Sequence, residues 1–161
     1  MIHPGIVKLL QTLVDNEYHV NVETNGTEPP APIEIKPSGW KQDIRHMIPE
    51  PAYDETCGSI FYTMDWKCKS SGMEDKMDMH NVNALTNKDV LKFVVGSEAD
   101  MDEALQVIEQ MTSKPQVFFS PVFGKIEPVQ IVEYLKRHRL HDCKVQLQLH
   151  KLIWNPEQRG V

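Results

Sequence analysis

From Pro4 onward, apolar positions recur at helical spacing, at Ile6, Leu9, Leu10, Leu13 and Val14, and the pattern predicts an opening helix of about 13 residues. Pro4 suits its first turn, where a missing N–H costs nothing. His19 to Glu23 alternates polar and apolar, and Asn25-Gly26 follows as a turn signal, so a strand ends at ETNGT. Residues 28 to 58 hold six of the eleven prolines and little periodicity, which predicts a long excursion: a lid, a linker or an insertion. Ser59 to Trp66 (SIFYTMDW) is aromatic and β-prone and predicts a strand with the polar loop DWKCKSSG at its end. Met77, His80 and Ala84 give a weak helical spacing within residues 74 to 87, read as a short helix.

Leu91 to Val95 is a compact apolar run stopped by Gly96, as in a strand buried on both faces. Asp100 stands three residues before Glu103, a capping-box spacing, and Met101, Ala104, Leu105, Ile108 and Met111 form one apolar stripe of a helix. Gln116 to Ser120 (QVFFS) reads as a strand, ended by Pro121 before a turn at Gly124. Pro128 opens a further helix whose buried face is Val129, Ile131, Val132 and Leu135. Lys144 to His150 (KVQLQLH) alternates strictly and predicts a strand; its polar side reads either as a solvent-facing edge or as a row lining a barrel lumen.

The resulting order alternates strands with helices at roughly 30 residues per unit, which a parallel sheet with crossover connections requires. The fold class is α/β, in a single domain spanning residues 1–161. The chain opens on a helix with no strand before it, and five strands cannot close an eight-stranded barrel. The expectation is therefore a partial (β/α) barrel, the later part of something longer.

Composition narrows the function. With 17 basic and 23 acidic residues the formal charge is -6, which argues against a nonspecific nucleic-acid binder. No apolar run reaches the roughly 18 residues of a transmembrane helix, and MIHPGIVKLLQTLVD has neither a basic n-region nor a cleavage site. Cys57, Cys68 and Cys143 are odd in number and irregularly spaced, which fits neither a disulfide framework nor a four-cysteine metal knuckle. A reduced, cytoplasmic protein that meets neither membrane nor nucleic acid is expected.

In parallel α/β proteins the chemistry sits where strands end, because loops and helix N-termini converge there. The expected ends are Glu23-Thr24-Asn25-Gly26, Asp65-Trp66-Lys67, Ser120-Pro121-Val122 and His150-Lys151. Each has a plain alternative. Asn25-Gly26 is also an ordinary turn, Lys67 beside Asp65 also an ordinary ion pair, and His150 also a rim histidine. Ser70-Ser71-Gly72 offers hydroxyl and N–H donors to an anion, though without phosphate-loop spacing. The spacing of His46, His80 and His150 matches no zinc signature.

Taken in order, HVNVETNGT, the strand ending DWKCKSSGM, LKFVVGSEADMDEA, FFSPV and QLQLHKLIW resemble 7-carboxy-7-deazaguanine synthase, a radical S-adenosylmethionine enzyme family of queuosine biosynthesis. The likeness runs from about Pro4 to Trp154. It implies a partial barrel of the radical S-adenosylmethionine type that binds S-adenosyl-L-methionine and, with Mg2+, converts 6-carboxy-5,6,7,8-tetrahydropterin to 7-carboxy-7-deazaguanine with loss of ammonia. It further implies cofactor contacts at Thr24, Asn25, Asp65, Trp66, Lys67, Ser120, Pro121, Val122 and Phe123, and substrate contacts at His150, Lys151 and the C-terminal Val161. A homodimer is expected. Enzymes of this family hold a [4Fe–4S] cluster in a C-x3-C-x2-C loop, one iron staying open for the cofactor. That loop and the family's Gly-Gly-Glu-Pro strand are absent here. Two expectations follow: the later portion of a synthase, inactive by itself, or a non-catalytic, barrel-derived binding or dimerisation module.

Overall fold

The computed structural model of the chain describes residues 5–30, 60–155 and 158. In chain order its elements are α1 (Ile6–Asp15), β1 (Val20–Thr24), β2 (Ile60–Lys67), α2 (Met79–Asn83), β3 (Val90–Val95), α3 (Glu98–Gln110), β4 (Gln116–Pro121), α4 (Pro128–Arg137), β5 (Lys144–Val145) and α5 (Leu149–Ile153). Most of the expected excursion at 28–58, together with Pro4, Ser59 and Val161, lies outside the described residues.

The five strands form one sheet in the order β1-β2-β3-β4-β5, and every neighbouring pair is parallel. Sequential parallel neighbours require a crossover at each step, which is why helices alternate with strands. Register separates the two faces. Met64, Leu91 and Val117 fall opposite one another, as do Trp66, Phe93 and Phe119. All six are buried and form the core with Leu10, Met101, Ala104, Ile131 and Tyr134 of the helices. The Phe93 and Phe119 rings meet at 5.4 Å with a 34° tilt, a favoured aromatic geometry.

The opposite face carries Asn21, Glu23, Thr63, Asp65, Lys67, Lys92, Ser120 and Lys144. β3 is therefore not buried on both faces as its apolar run suggested. Val90, Lys92 and Val94 are only half-buried, because Lys92 meets a carboxylate on the polar side.

Two further expectations change. α3 begins at Glu98, and its N-cap is Ser97, whose Oγ accepts from the Asp100 N–H at 3.3 Å. Asp100 thus occupies the third helical position, with its carboxylate turned back to accept the Gly96 N–H. KVQLQLH is not one strand: β5 stops at Val145, one more backbone bond runs from the Gln146 N–H to the Phe119 carbonyl, and α5 follows. Further pairing would place Leu147 opposite Pro121, which has no N–H to give. The polar row of Gln146, Gln148 and His150 therefore does not form, either as an edge or as a lumen lining.

Gly26 closes the turn after β1 at φ +75°, and a Cβ there would stand 3.2 Å from Met64 Cγ and 3.3 Å from the Asp65 carbonyl. Its own carbonyl accepts from Asn81 Nδ2 at 2.9 Å, tying this turn to α2. Gly26→Ala adds a positive-φ penalty and a tight contact together, and is expected to cost about 1–3 kcal/mol in a urea titration. A variant as stable as the parent would show that the turn relaxes freely.

Candidate functional site at the strand ends

On the polar face, side chains lie in rows fixed by register. The outermost row holds Lys67, Val94 and Ser120; the next holds Asp65, Lys92, Phe118 and Lys144. The Asp65 carboxylate takes one ammonium on each oxygen, Lys67 Nζ at 2.9 Å on Oδ2 and Lys92 Nζ at 3.4 Å on Oδ1. All three side chains are partly screened from water, at 22–29% exposure. Ser120 is 1% exposed, and its Oγ has no hydrogen-bond partner. A buried hydroxyl left unpaired costs roughly 1–3 kcal/mol.

The loop after β2 is fixed from behind by the first turns of α3. Glu103 Oε1 accepts from Trp66 Nε1 at 3.2 Å and Oε2 from the Lys69 N–H at 2.9 Å. Asp100 Oδ1 accepts from the Ser70 N–H at 3.1 Å and Oδ2 from the Gly96 N–H at 2.8 Å. Burial alone pushes Asp100 up, but the Gly96 backbone, the Ser70 backbone and hydroxyl and the Ser97 hydroxyl outweigh it, and the net shift is downward. The N–H groups of Lys69 and Ser70 are therefore committed. Those of Ser71 and Gly72 bond Cys68 and Lys69 carbonyls, and the Ser71 hydroxyl also bonds Cys68. The anion seat imagined at Ser70-Ser71-Gly72 is not formed.

Cys68 is fully buried between these carboxylates, with its Sγ and one oxygen each of Asp100 and Glu103 within 4.8 Å of one another. The donor set does not suit Mg2+, which wants oxygens; every carboxylate oxygen here already accepts an N–H, and the third donor is a soft thiol. Burial, then Glu103 and Asp100, push the Cys68 thiol up to about 12. Native Cys68 is expected to react with iodoacetamide at pH 8 roughly a thousandfold more slowly than an ordinary thiol, and normally once urea is added. Rapid native labelling, read by mass spectrometry, would contradict this environment.

The other expected site residues are distributed as follows. Thr24 Oγ1 accepts from the Gly26 N–H, and Asn25 Oδ1 accepts from the N–H and hydroxyl of Thr27, so both side chains serve the turn itself. They border a cleft of about 370 Å³ at the end of β1, alongside Ile6, Leu10, Glu23 and Tyr62. The Trp66 indole lies in the helix-covered core, so at most its backbone belongs to the polar face. Pro121 and Phe123 border a smaller, apolar cleft of about 160 Å³ against Leu147 and Leu152. The Val122 N–H continues the sheet by donating to the Val95 carbonyl. Lys151 Nζ lies 5.6 Å from the Phe123 ring centroid, whereas His150 is exposed on α5 and not at a strand end. Register thus brings Asp65, Lys67 and Ser120 onto one face and leaves His150 outside that group. Lys92 was missed, although a lysine interrupting an apolar run was the visible signal.

No described helix is long and apolar enough to cross a membrane. The molecule is an α/β protein with a five-stranded parallel sheet and a polar cluster where the strands end. Its sequence is similar to those of proteins named 7-carboxy-7-deazaguanine synthase. The Clostridium acetobutylicum protein of that name is 36% identical over 164 residues, covering 100% of this chain and 65% of its own length. The Koribacter versatilis protein is 29% identical over 97% of this chain and 65% of its own, and the Chlorobaculum tepidum protein 40% identical over 61% and 46%. The chain therefore spans less than two thirds of the length of these curated relatives. No family model and no solved structure matches the chain.

Proposed function

We propose that the chain supplies the cofactor- and substrate-facing strand ends of a 7-carboxy-7-deazaguanine synthase, in a partial (β/α) barrel whose interior is the polar face of the sheet. The observation that carries this reading is the unpartnered, buried Ser120 hydroxyl in the same row as Lys67 and one row above Asp65. S-adenosyl-L-methionine is a nucleoside with a ribose diol, a purine and charged ends. A carboxylate acceptor, an ammonium, a hydroxyl and the half-exposed Phe123 ring suit it. When bound, the cofactor supplies the radical that starts the ring contraction of 6-carboxy-5,6,7,8-tetrahydropterin. The residues of this chain bind and orient. Asp65 accepts from ribose hydroxyls, Ser120 pairs its idle hydroxyl, and the backbone of 121–123 walls the base.

The described thiols do not fit a [4Fe–4S] centre. Cys68 is sealed among carboxylates, and Cys143 is half-buried beside β5, its thiol pushed up to about 11 by burial and then Asp142. No C-x3-C-x2-C spacing occurs in the 161 residues. A cluster of that kind would have to be held by polypeptide outside these residues.

The test is an NMR titration with S-adenosylhomocysteine. Amide shifts confined to 24–25, 65–67 and 120–123 support the reading; scattered or absent shifts overturn it. In a second arm, the remaining third of the Clostridium relative, joined to this chain, is expected to restore turnover of the pterin. A second reading, a dimerisation module, is favoured by β1, which among the described residues pairs on one side alone. Sedimentation of a dimer together with no nucleoside-induced shifts would select it.

A further inference from the structure

Lys92 belongs to the central strand of the sheet, in register with Asp65 and on the same face. Lysines are ordinarily well exposed, with the head in water; this side chain is only 22% exposed and its head is turned to Asp65. Lys67, two residues beyond Asp65 on β2, bonds the other carboxylate oxygen. A carboxylate with one flexible neighbour at i+2 has several orientations open to it. One ammonium on each oxygen, delivered from two strands, fixes the carboxylate plane and leaves a second lone pair on each oxygen for a ligand.

We propose that Lys92 is a positioning residue of the strand-end site: bridging from β3 to the Asp65 carboxylate on β2, it holds that carboxylate in the orientation that accepts the hydroxyls of a ribonucleoside. The inference rests on the cofactor-site reading above and adds a residue to it. Lys92 shares a row with Asp65 and has its head turned to that carboxylate, so its assigned role is to act through Asp65 and not on the ligand directly.

The probe is S-adenosylhomocysteine, with dissociation constants from NMR titration of the whole chain. Lys92→Met keeps the apolar stem and is expected to weaken binding about fivefold to tenfold, with its urea midpoint close to that of the parent. Lys92→Gln should show the same loss, and Lys92→Arg, which restores the bridge, should recover most of it. Against an Asp65→Asn background, Lys92→Met is expected to add nothing, the signature of action through Asp65. Unchanged binding by Lys92→Met overturns the proposal, as does an equal loss in both backgrounds, which would mean direct ligand contact or a general structural effect. Binding by the parent with no response to Lys92 overturns this inference alone. A parent chain that binds no nucleoside overturns the cofactor-site reading and this one with it.

Discussion

Phe93→Ala is expected to lower the unfolding free energy by about 3–5 kcal/mol, the range for emptying a closed aromatic site. Phe93 is fully buried on the central strand, in register with Trp66 on one side and Phe119 on the other. Its loss removes both the transferred area and the tilted ring contact at 5.4 Å. Rigid strands on either side leave little room to collapse into the cavity. Phe93→Leu keeps most of the volume and is expected to cost less than about 1.5 kcal/mol. Urea titrations with an unchanged slope provide the check. A loss below about 1 kcal/mol for the alanine variant would mean that this face of the sheet is not packed as described.

What was legible in the sequence follows from where its signals are local. Ile6 to Val14 and Met101 to Met111 carry apolar stripes that only a helix satisfies, and both are helices. The runs SIFYTMDW, LKFVV and QVFFS became β2, β3 and β4 within a residue or two. KVQLQLH misled because alternation describes one strand and pairing needs two. Leu147 and Leu149 are exposed, since β4 ends in a proline with no hydrogen to donate. The cap of α3 was misplaced for a related reason: Asp100 fits an N-cap by type, but its carboxylate is drawn to Gly96 and Ser70, a contact spanning 30 residues. Asp65 and Lys67 were visible as a strand-end pair, whereas the second ammonium from Lys92 depends on register between strands, which no local pattern encodes.

Asp100→Ala is the second large effect and tests how the strand-end loop is held. Asp100 is 1% exposed and accepts the N–H groups of Ser70 and Gly96, one per oxygen. Alanine removes two charge-assisted hydrogen bonds from part-buried N–H groups, each contributing roughly 1.5–3 kcal/mol, so a total near 3 kcal/mol is expected. Asparagine does not repair this: its carbonyl accepts one N–H while its NH2 faces the other, so less than half of the loss returns. The acid side gives an independent signature. The folded-state carboxyl lies below its ordinary 3.8, so its contribution is complete above that value and is lost as the pH falls through the lower folded value. The gap between parent and Asp100→Ala should therefore be full at pH 7 and shrink as the pH drops below about 4. Hydrogen exchange supplies the local readout, with the Ser70 and Gly96 amides accelerating in the variant under conditions where β3 and β4 stay protected. Unchanged exchange at Ser70 would mean that Asp100 does not hold the loop after β2, and that Glu103 is the anchor α3 provides.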